Sequence, residues 1–332
     1  LPQVTYREAL RRALRQALDE DDRVFLLGED IGAYGGAYAV TKGLIAEYGE
    51  SRIRDTPIAE GGITGFAVGA AMAGMRPIVE LMTVNFALLG IDQIVNHAAK
   101  MHYMFNGQMQ VPMVVRTVTG WGQLAGTHSQ VFDNYFAYVP GLKVVTPATP
   151  GDAYGLLRLA IQDPDPVVFI EHSLLYGIQG PVPEEGVPIA FGRSVVRRPG
   201  RDVTLVSYSR MLQACLAAAE TLSHEGIEAE VVDLRCLRPL DLEPVYQSVM
   251  KTNRVVFAEE SWRSYGIGAE IAARIQEVCF DDLDAPVARI GAKECPLPYN
   301  RSLELLAMPG DDEVTAVARQ LVGKRSVLWP VT

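Results

Sequence analysis

The stretch Asp55-Thr56-Pro57-Ile58-Ala59-Glu60-Gly61-Gly62-Ile63-Thr64-Gly65-Phe66-Ala67-Val68-Gly69 joins a Pro-containing loop, a carboxylate and a run of glycines. Gly61, Gly65, Gly69 and Ala73 recur every four residues, so on a helix they share one face and let another backbone approach closely. The stripe predicts an intimate helix contact, most naturally with another subunit. Glu60 reads in two ways. As the first residue of that helix it complements the helix dipole. Flanked by small and apolar residues, it is poorly solvated if its loop is buried, which raises a carboxyl pKa and suits acid or base work.

On either side of this segment, short apolar runs alternate with helix-length patterns. Val24 to Leu27, Pro77 to Leu81, Pro112 to Val118, Leu142 to Val145 and Val167 to Ile170 read as buried strands. Gly90 to Phe105 and Gly151 to Ile161 read as helices between them, and Thr5 with Glu8 forms a capping box before the stripe Leu10, Ala13, Leu14, Ala17, Leu18. Short buried strands alternating with helices give an α/β fold with a parallel sheet covered on both faces.

A Pro-, Gly- and Glu-rich stretch from about Gly180 to Gly200 interrupts the pattern. Beyond it, Val203 to Ser207, Ala229 to Leu234, Arg254 to Ala258 and Ala285 to Ile290 read as strands, with helices near Met211 to Ser223 and Ile267 to Cys279. The expected division is a first domain over 1–180, a linker over 181–200 and a smaller α/β domain over 201–332. Two domains also suit a length of 332 residues.

Lys plus Arg is 30 and Asp plus Glu is 40, a formal charge of −10, with 48% of residues hydrophobic. An acidic, well-mixed surface argues against a protein that binds nucleic acid by neutralising phosphates. No run of 18 apolar residues suggests a membrane span. Cys215, Cys236, Cys279 and Cys295 show no metal-site spacing and read as buried thiols in a reducing compartment.

The pattern Glu60, Gly65, Phe66, Gly69 resembles the pyrimidine-side motif of thiamine-diphosphate enzymes. The resemblance extends in order through Leu27-Gly28-Glu29-Asp30, Gly35-Gly36-Ala37-Tyr38, Met82-Thr83-Val84-Asn85-Phe86, His128-Ser129-Gln130, Pro140-Gly141-Leu142-Lys143-Val144-Val145 and Gly266-Ile267-Gly268-Ala269-Glu270. Taken together these segments are similar to the beta subunits of 2-oxo acid dehydrogenase decarboxylase components, with pyruvate dehydrogenase the nearest type. The resemblance implies a transketolase-like fold: a pyrimidine-binding domain followed by a transketolase C-terminal-like domain.

It also implies site residues. The carboxyl of Glu60 would hydrogen-bond a ring nitrogen of the cofactor's aminopyrimidine and promote its imino form; Phe86 would pack on that ring, with Met82 and Glu29 nearby. His128 would face the thiazolium and the incoming 2-oxo acid or lipoyl group. A potassium site would use Met113, Ala160, Ile161, Asp163 and Asp165, mainly through carbonyl oxygens, although an amide is usual at the last position.

The sequence contains no Gly-Asp-Gly followed by the Asn pair with which thiamine enzymes clamp magnesium and diphosphate. The resemblance therefore assigns Mg2+ and the diphosphate to a separate alpha subunit, in an α2β2 heterotetramer that serves a lipoyl acyltransferase core. Ala125-Gly126-Thr127 before the His-Ser leans toward pyruvate rather than a branched-chain 2-oxo acid, while acetoin-cleaving relatives share the surroundings of Met82 and Tyr103-Met104-Phe105. The expected location is the cytoplasm in a bacterium, or an organelle matrix or stroma after loss of a transit peptide. Two readings compete. One is a non-catalytic assembly subunit. The other is a dinucleotide-binding protein, prompted by Gly266-Ile267-Gly268 ahead of a helix, where the third glycine of the fingerprint is missing. Glu259-Glu260-Ser261-Trp262 resembles the family's C-terminal domain surface, or else forms a solvated strand end.

Overall fold

The computed structural model describes residues 3–182 and 189–323. They form two compact units, one of Leu1–Phe191 with Leu237–Pro239 and one of Gly192–Cys236 with Leu240–Thr332. Residues 183–188, inside the expected linker, lie outside the described residues.

The first unit is built on a seven-stranded sheet. Its spatial order is Cys236–Arg238, Lys143–Val145, Val167–His172, Val114–Thr119, Arg76–Leu81, Val24–Gly28 and Ile53–Asp55. The pairings from Lys143–Val145 through Ile53–Asp55 are all parallel. Every residue of Val24–Gly28, Val114–Thr119 and Val167–His172 is buried, as strands covered on both faces require. The helix Tyr6–Glu20 presents its apolar stripe to the core, and the Thr5 hydroxyl accepts from the Glu8 amide at 3.2 Å. The reciprocal arm of the box is absent, because the Glu8 carboxylate takes Arg11 instead.

The segment expected as one helix over 90–105 is broken. It consists of a 3-10 turn at Leu88–Gly90, a π-helical stretch at Gln93–Ala98 and a short helix at Met101–Met104. The cause is close packing on the glycine helix Glu60–Met72. A Cβ at Gly61 would stand 3.2 Å from the Leu89 carbonyl, and one at Gly65 would stand 3.2 Å from the Gln93 side chain. The close contact expected of the stripe is thus made at these two glycines within the chain, whereas Gly69 faces open space.

Three charged side chains occupy the middle of the first sheet. Arg116, 2% exposed, donates from Nη1 to Glu80 at 2.6 Å, and from Nε and Nη2 to Glu171 at 2.6 and 3.0 Å. Tyr176 donates to the same Glu171 at 2.6 Å, and Tyr38 stacks on Tyr176 at 4.9 Å between ring centres. Gly36, at φ +83°, leaves room for Glu80, whose Oε1 would lie 2.9 Å from a Cβ there. The motif Gly35-Gly36-Ala37-Tyr38 is therefore the cover of a buried ionic cluster.

The second unit holds a five-stranded sheet in the order Ala288–Ala292, Val255–Trp262, Val203–Ser207, Ala229–Asp233, Val195–Arg198. Only the last strand is antiparallel, and it comes from the stretch expected as linker. Helices Ser209–Ser223, Glu243–Thr252, Ile267–Cys279 and Asp311–Gly323 accompany the sheet. Among the described residues no helix is long and apolar enough to cross a membrane. Cys215, Cys236 and Cys279 are buried as expected, but Cys295 is exposed because it lies in the surface segment before the helix Arg301–Ala307.

Replacing Arg116 by Leu would leave two buried carboxylates, one on each strand flanking its own, without their cation. The expected cost is about 3–5 kcal/mol, read as a lower urea midpoint at unchanged slope. An unchanged midpoint would show that the cluster does not anchor the sheet.

Candidate active site

Parallel strands place all their C-terminal ends on one edge, and the connections leaving that edge are where open α/β sheets bind ligands. Glu29 follows Val24–Gly28, Met82 follows Arg76–Leu81, and the segment carrying His128 follows Val114–Thr119. Glu60 opens its helix after Ile53–Asp55 and is 5% exposed, although it stands at a helix start. Its preceding residue, Ala59, contributes no side-chain cap.

Glu29 is 9% exposed, and burial, together with the nearby charge of Glu60 and then of Asp30, holds its carboxyl above the usual carboxylate range. The two carboxyls thus face one environment. Phe86, half-buried on the short helix Val84–Ala87, meets the His128 ring edge-on at 5.3 Å and 89°. His128 is exposed, and its Nδ1 pairs with the Thr127 hydroxyl at 3.0 Å. Met82 is half-buried at the same edge.

Four buried side-chain oxygens at this edge lack any hydrogen-bond partner: Glu29 Oε1, Thr56 Oγ1, Asn85 Oδ1 and Ser129 Oγ. They come from four different connections. A buried polar atom without a partner costs about 1–3 kcal/mol, so such a cluster is costly unless a ligand completes it. Thr56, Asn85 and Ser129 escape a reading based on residue type, because only burial distinguishes them from ordinary loop residues. These residues fit a flat, nitrogen-rich ring of the aminopyrimidine kind: an aromatic face at Phe86, a carboxyl pair, and unfilled hydrogen-bonding atoms.

The residues expected around potassium lie elsewhere. Met113 and Asp165 precede their strands, at the N-terminal edge of the same sheet. There Arg76 Nη1 donates to the Ile161 and Asp163 carbonyls at 2.8 and 3.1 Å, and Lys143 Nζ donates to the Asp163 and Asp165 carboxylates at 2.6 and 2.9 Å. The Met113 and Ala160 carbonyls accept from Val167 and Asp163. Arg76 and Lys143 thus bring positive charge to Ile161, Asp163 and Asp165, while the Met113 and Ala160 carbonyls take backbone amides.

With this geometry in place, the relatives are informative. The profile of the family described as "Transketolase, pyrimidine binding domain" matches residues 2–179, and that of "Transketolase, C-terminal domain" matches 192–314. The chain is 48% identical over 323 residues to the "Pyruvate dehydrogenase E1 component subunit beta-2, mitochondrial" of Oryza sativa subsp. japonica, covering 96% of this chain and 86% of that protein. It is 46% identical over 320 residues to the pyruvate dehydrogenase E1 component subunit beta of Rickettsia felis, covering 96% and 98%. The chain belongs to the pyruvate dehydrogenase E1 beta-subunit family. Among solved structures, the "Split gene transketolase, inactive beta4 tetramer" superposes with a TM-score of 0.78 at 23% identity, covering 96% of this chain and 98% of that one, and so shares the fold.

The family's C-terminal unit also explains the incomplete dinucleotide fingerprint. Glu259 and Glu260 are not a solvated strand end: they lie inside Val255–Trp262, 2% and 7% exposed. The Glu259 carboxylate accepts from the Ile267 and Gly268 amides at 3.1 and 2.9 Å and from the Ser261 hydroxyl, filling the start of Ile267–Cys279. A Cβ at Gly266 or Gly268 would stand 2.5 or 2.8 Å from its Oε1. The two glycines make room for a side chain of this protein, and the place a dinucleotide phosphate would take is already filled.

Burial pushes Glu259 up to about 7, against an ordinary value near 4.5, despite those donors. The folded chain therefore holds this proton more tightly than the unfolded chain. Glu259's contribution to stability is full below about pH 4.5 and is lost as the pH rises through about 7, a change on the order of 3 kcal/mol. Melting profiles between pH 4.5 and 8 are expected to show this fall in the parent and a flatter profile in Glu259→Gln; identical profiles would contradict the assignment.

Proposed function

We propose that this chain is the beta subunit of a heteromeric thiamine-diphosphate-dependent decarboxylase that acts on pyruvate and passes the acetyl group to a lipoyl group on an acyltransferase core. An alpha subunit, in an α2β2 assembly, supplies the diphosphate and Mg2+ clamp. Full-length similarity to pyruvate dehydrogenase E1 beta subunits supports the substrate. The observation that carries the site is the set of buried oxygens without partners around the Glu29–Glu60 pair.

When bound, thiamine diphosphate supplies a positively charged ring that accepts the electrons released as the 2-oxo acid loses CO2. The protein's part is positioning, proton placement and exclusion of water. The Glu60 carboxyl is placed to hydrogen-bond a ring nitrogen, from a buried helix start that keeps water away. Glu29 lies beside it, its carboxyl held above the usual carboxylate range by burial and the nearby charge of Glu60. Phe86 offers a flat apolar surface, and Met82 lines the same edge. His128 has its Nδ1 engaged by Thr127, which leaves Nε2 free to exchange a proton with substrate or lipoyl group. At the other edge of the sheet Met113, Ala160, Ile161, Asp163 and Asp165 are the residues that would hold a potassium ion, beside Arg76 and Lys143.

In the complex with its alpha subunit, Glu60→Gln is expected to lower the rate of pyruvate decarboxylation by about 100-fold or more, the usual range for loss of a positioned acid or base, while the melting temperature stays near the parent's. Full activity in that variant would overturn the role given to Glu60.

A further inference from the structure

The four unpartnered oxygens are not chemically equivalent. Glu29 belongs to the carboxyl pair. Asn85 has its Nδ2 committed to the Thr83 hydroxyl at 2.9 Å, so what remains is an acceptor. Thr56 is held beside the same carboxyls, its amide donating to the Gly28 carbonyl at 3.0 Å. Ser129 follows His128, whose ring packs on Phe86. It is 4% exposed, and its hydroxyl has no partner.

A 2-oxo acid enters as an anion, and its carboxylate oxygens accept hydrogen bonds, which the acceptor oxygen of Asn85 cannot donate. It needs a hydrogen-bond donor within the site. The loop bearing Ser129 is also held at an energetic cost, with Gln123 and Ala125 at φ +62° and +63°. We infer that the Ser129 hydroxyl is a substrate-binding donor that takes the carboxylate of the 2-oxo acid and so sets which end of the substrate faces the carboxyl pair. This rests on the function proposed above.

The test uses the complex with the alpha subunit. Ser129→Ala should raise KM for pyruvate by about tenfold or more, the scale of one lost hydrogen bond to a charged group, with kcat changed far less. Ser129→Thr, which keeps the hydroxyl, should restore KM. The melting temperature of Ser129→Ala without substrate should equal or exceed the parent's, because a buried hydroxyl without a partner has been removed, while the stabilisation that pyruvate confers on the complex should shrink. An unchanged KM with an unchanged pyruvate-dependent melting shift, or a lower melting temperature with an unchanged KM, would overturn the assignment. Glu60→Gln run alongside separates the two failures. Loss of turnover in Glu60→Gln with normal KM in Ser129→Ala refutes Ser129 alone; normal turnover in Glu60→Gln refutes the function on which it rests.

Discussion

Arg116 is the residue on which the first unit is organised. One guanidinium, almost wholly buried, binds carboxylates from the strands on either side of its own. Burying such a group is expensive unless its partners are in place, so the registers of three central strands and the positions of Gly36, Tyr38 and Tyr176 are fixed together. Glu80 lies two residues before Met82, and Arg116 three before Thr119, whose hydroxyl donates to the Gln130 carbonyl at 3.1 Å. The connections that carry the proposed site therefore hang from strands the ionic cluster holds in place.

On that base the sheet's C-terminal edge gathers two carboxyls, an aromatic face, an exposed imidazole and several oxygens without partners. The arrangement suits a flat heterocycle with a proton-accepting nitrogen, and its carboxyls and acceptor oxygens offer little to a diphosphate. Half a cofactor site is what a two-chain enzyme requires of one of its chains. The second unit contributes differently: the position where its sheet could receive an anion is filled by Glu259, so its parallel fold carries no equivalent ligand pocket there.

Much of this was legible in the sequence. The apolar runs at Val24, Val114 and Val167 became central strands because fully buried parallel strands need continuous apolar residues, and Thr5 capped its helix as its spacing predicted. Glu60 stood out as a carboxylate among small residues. The break in the segment 90–105 was not legible, since it follows from the close approach of Gly61 and Gly65 rather than from any local breaker. The same holds for Ser129 and Asn85. Their polarity is ordinary for loops, and only the tertiary packing that buries them without partners marks them. Arg116 and Glu80 did carry a signal, each being a charge inside an apolar run, and Glu171 directly follows one. The Gly266-Ile267-Gly268 motif shows the opposite hazard: a glycine pattern shaped for a phosphate serves here for an internal carboxylate.

The central claim is that this chain encodes the pyrimidine half of a site that is completed by a second chain. Calorimetric titration of thiamine diphosphate with Mg2+ into the chain alone, and into the chain mixed with its alpha subunit, tests it most directly. The account expects stoichiometric heat only from the mixture, and stoichiometric binding by the chain alone would contradict it.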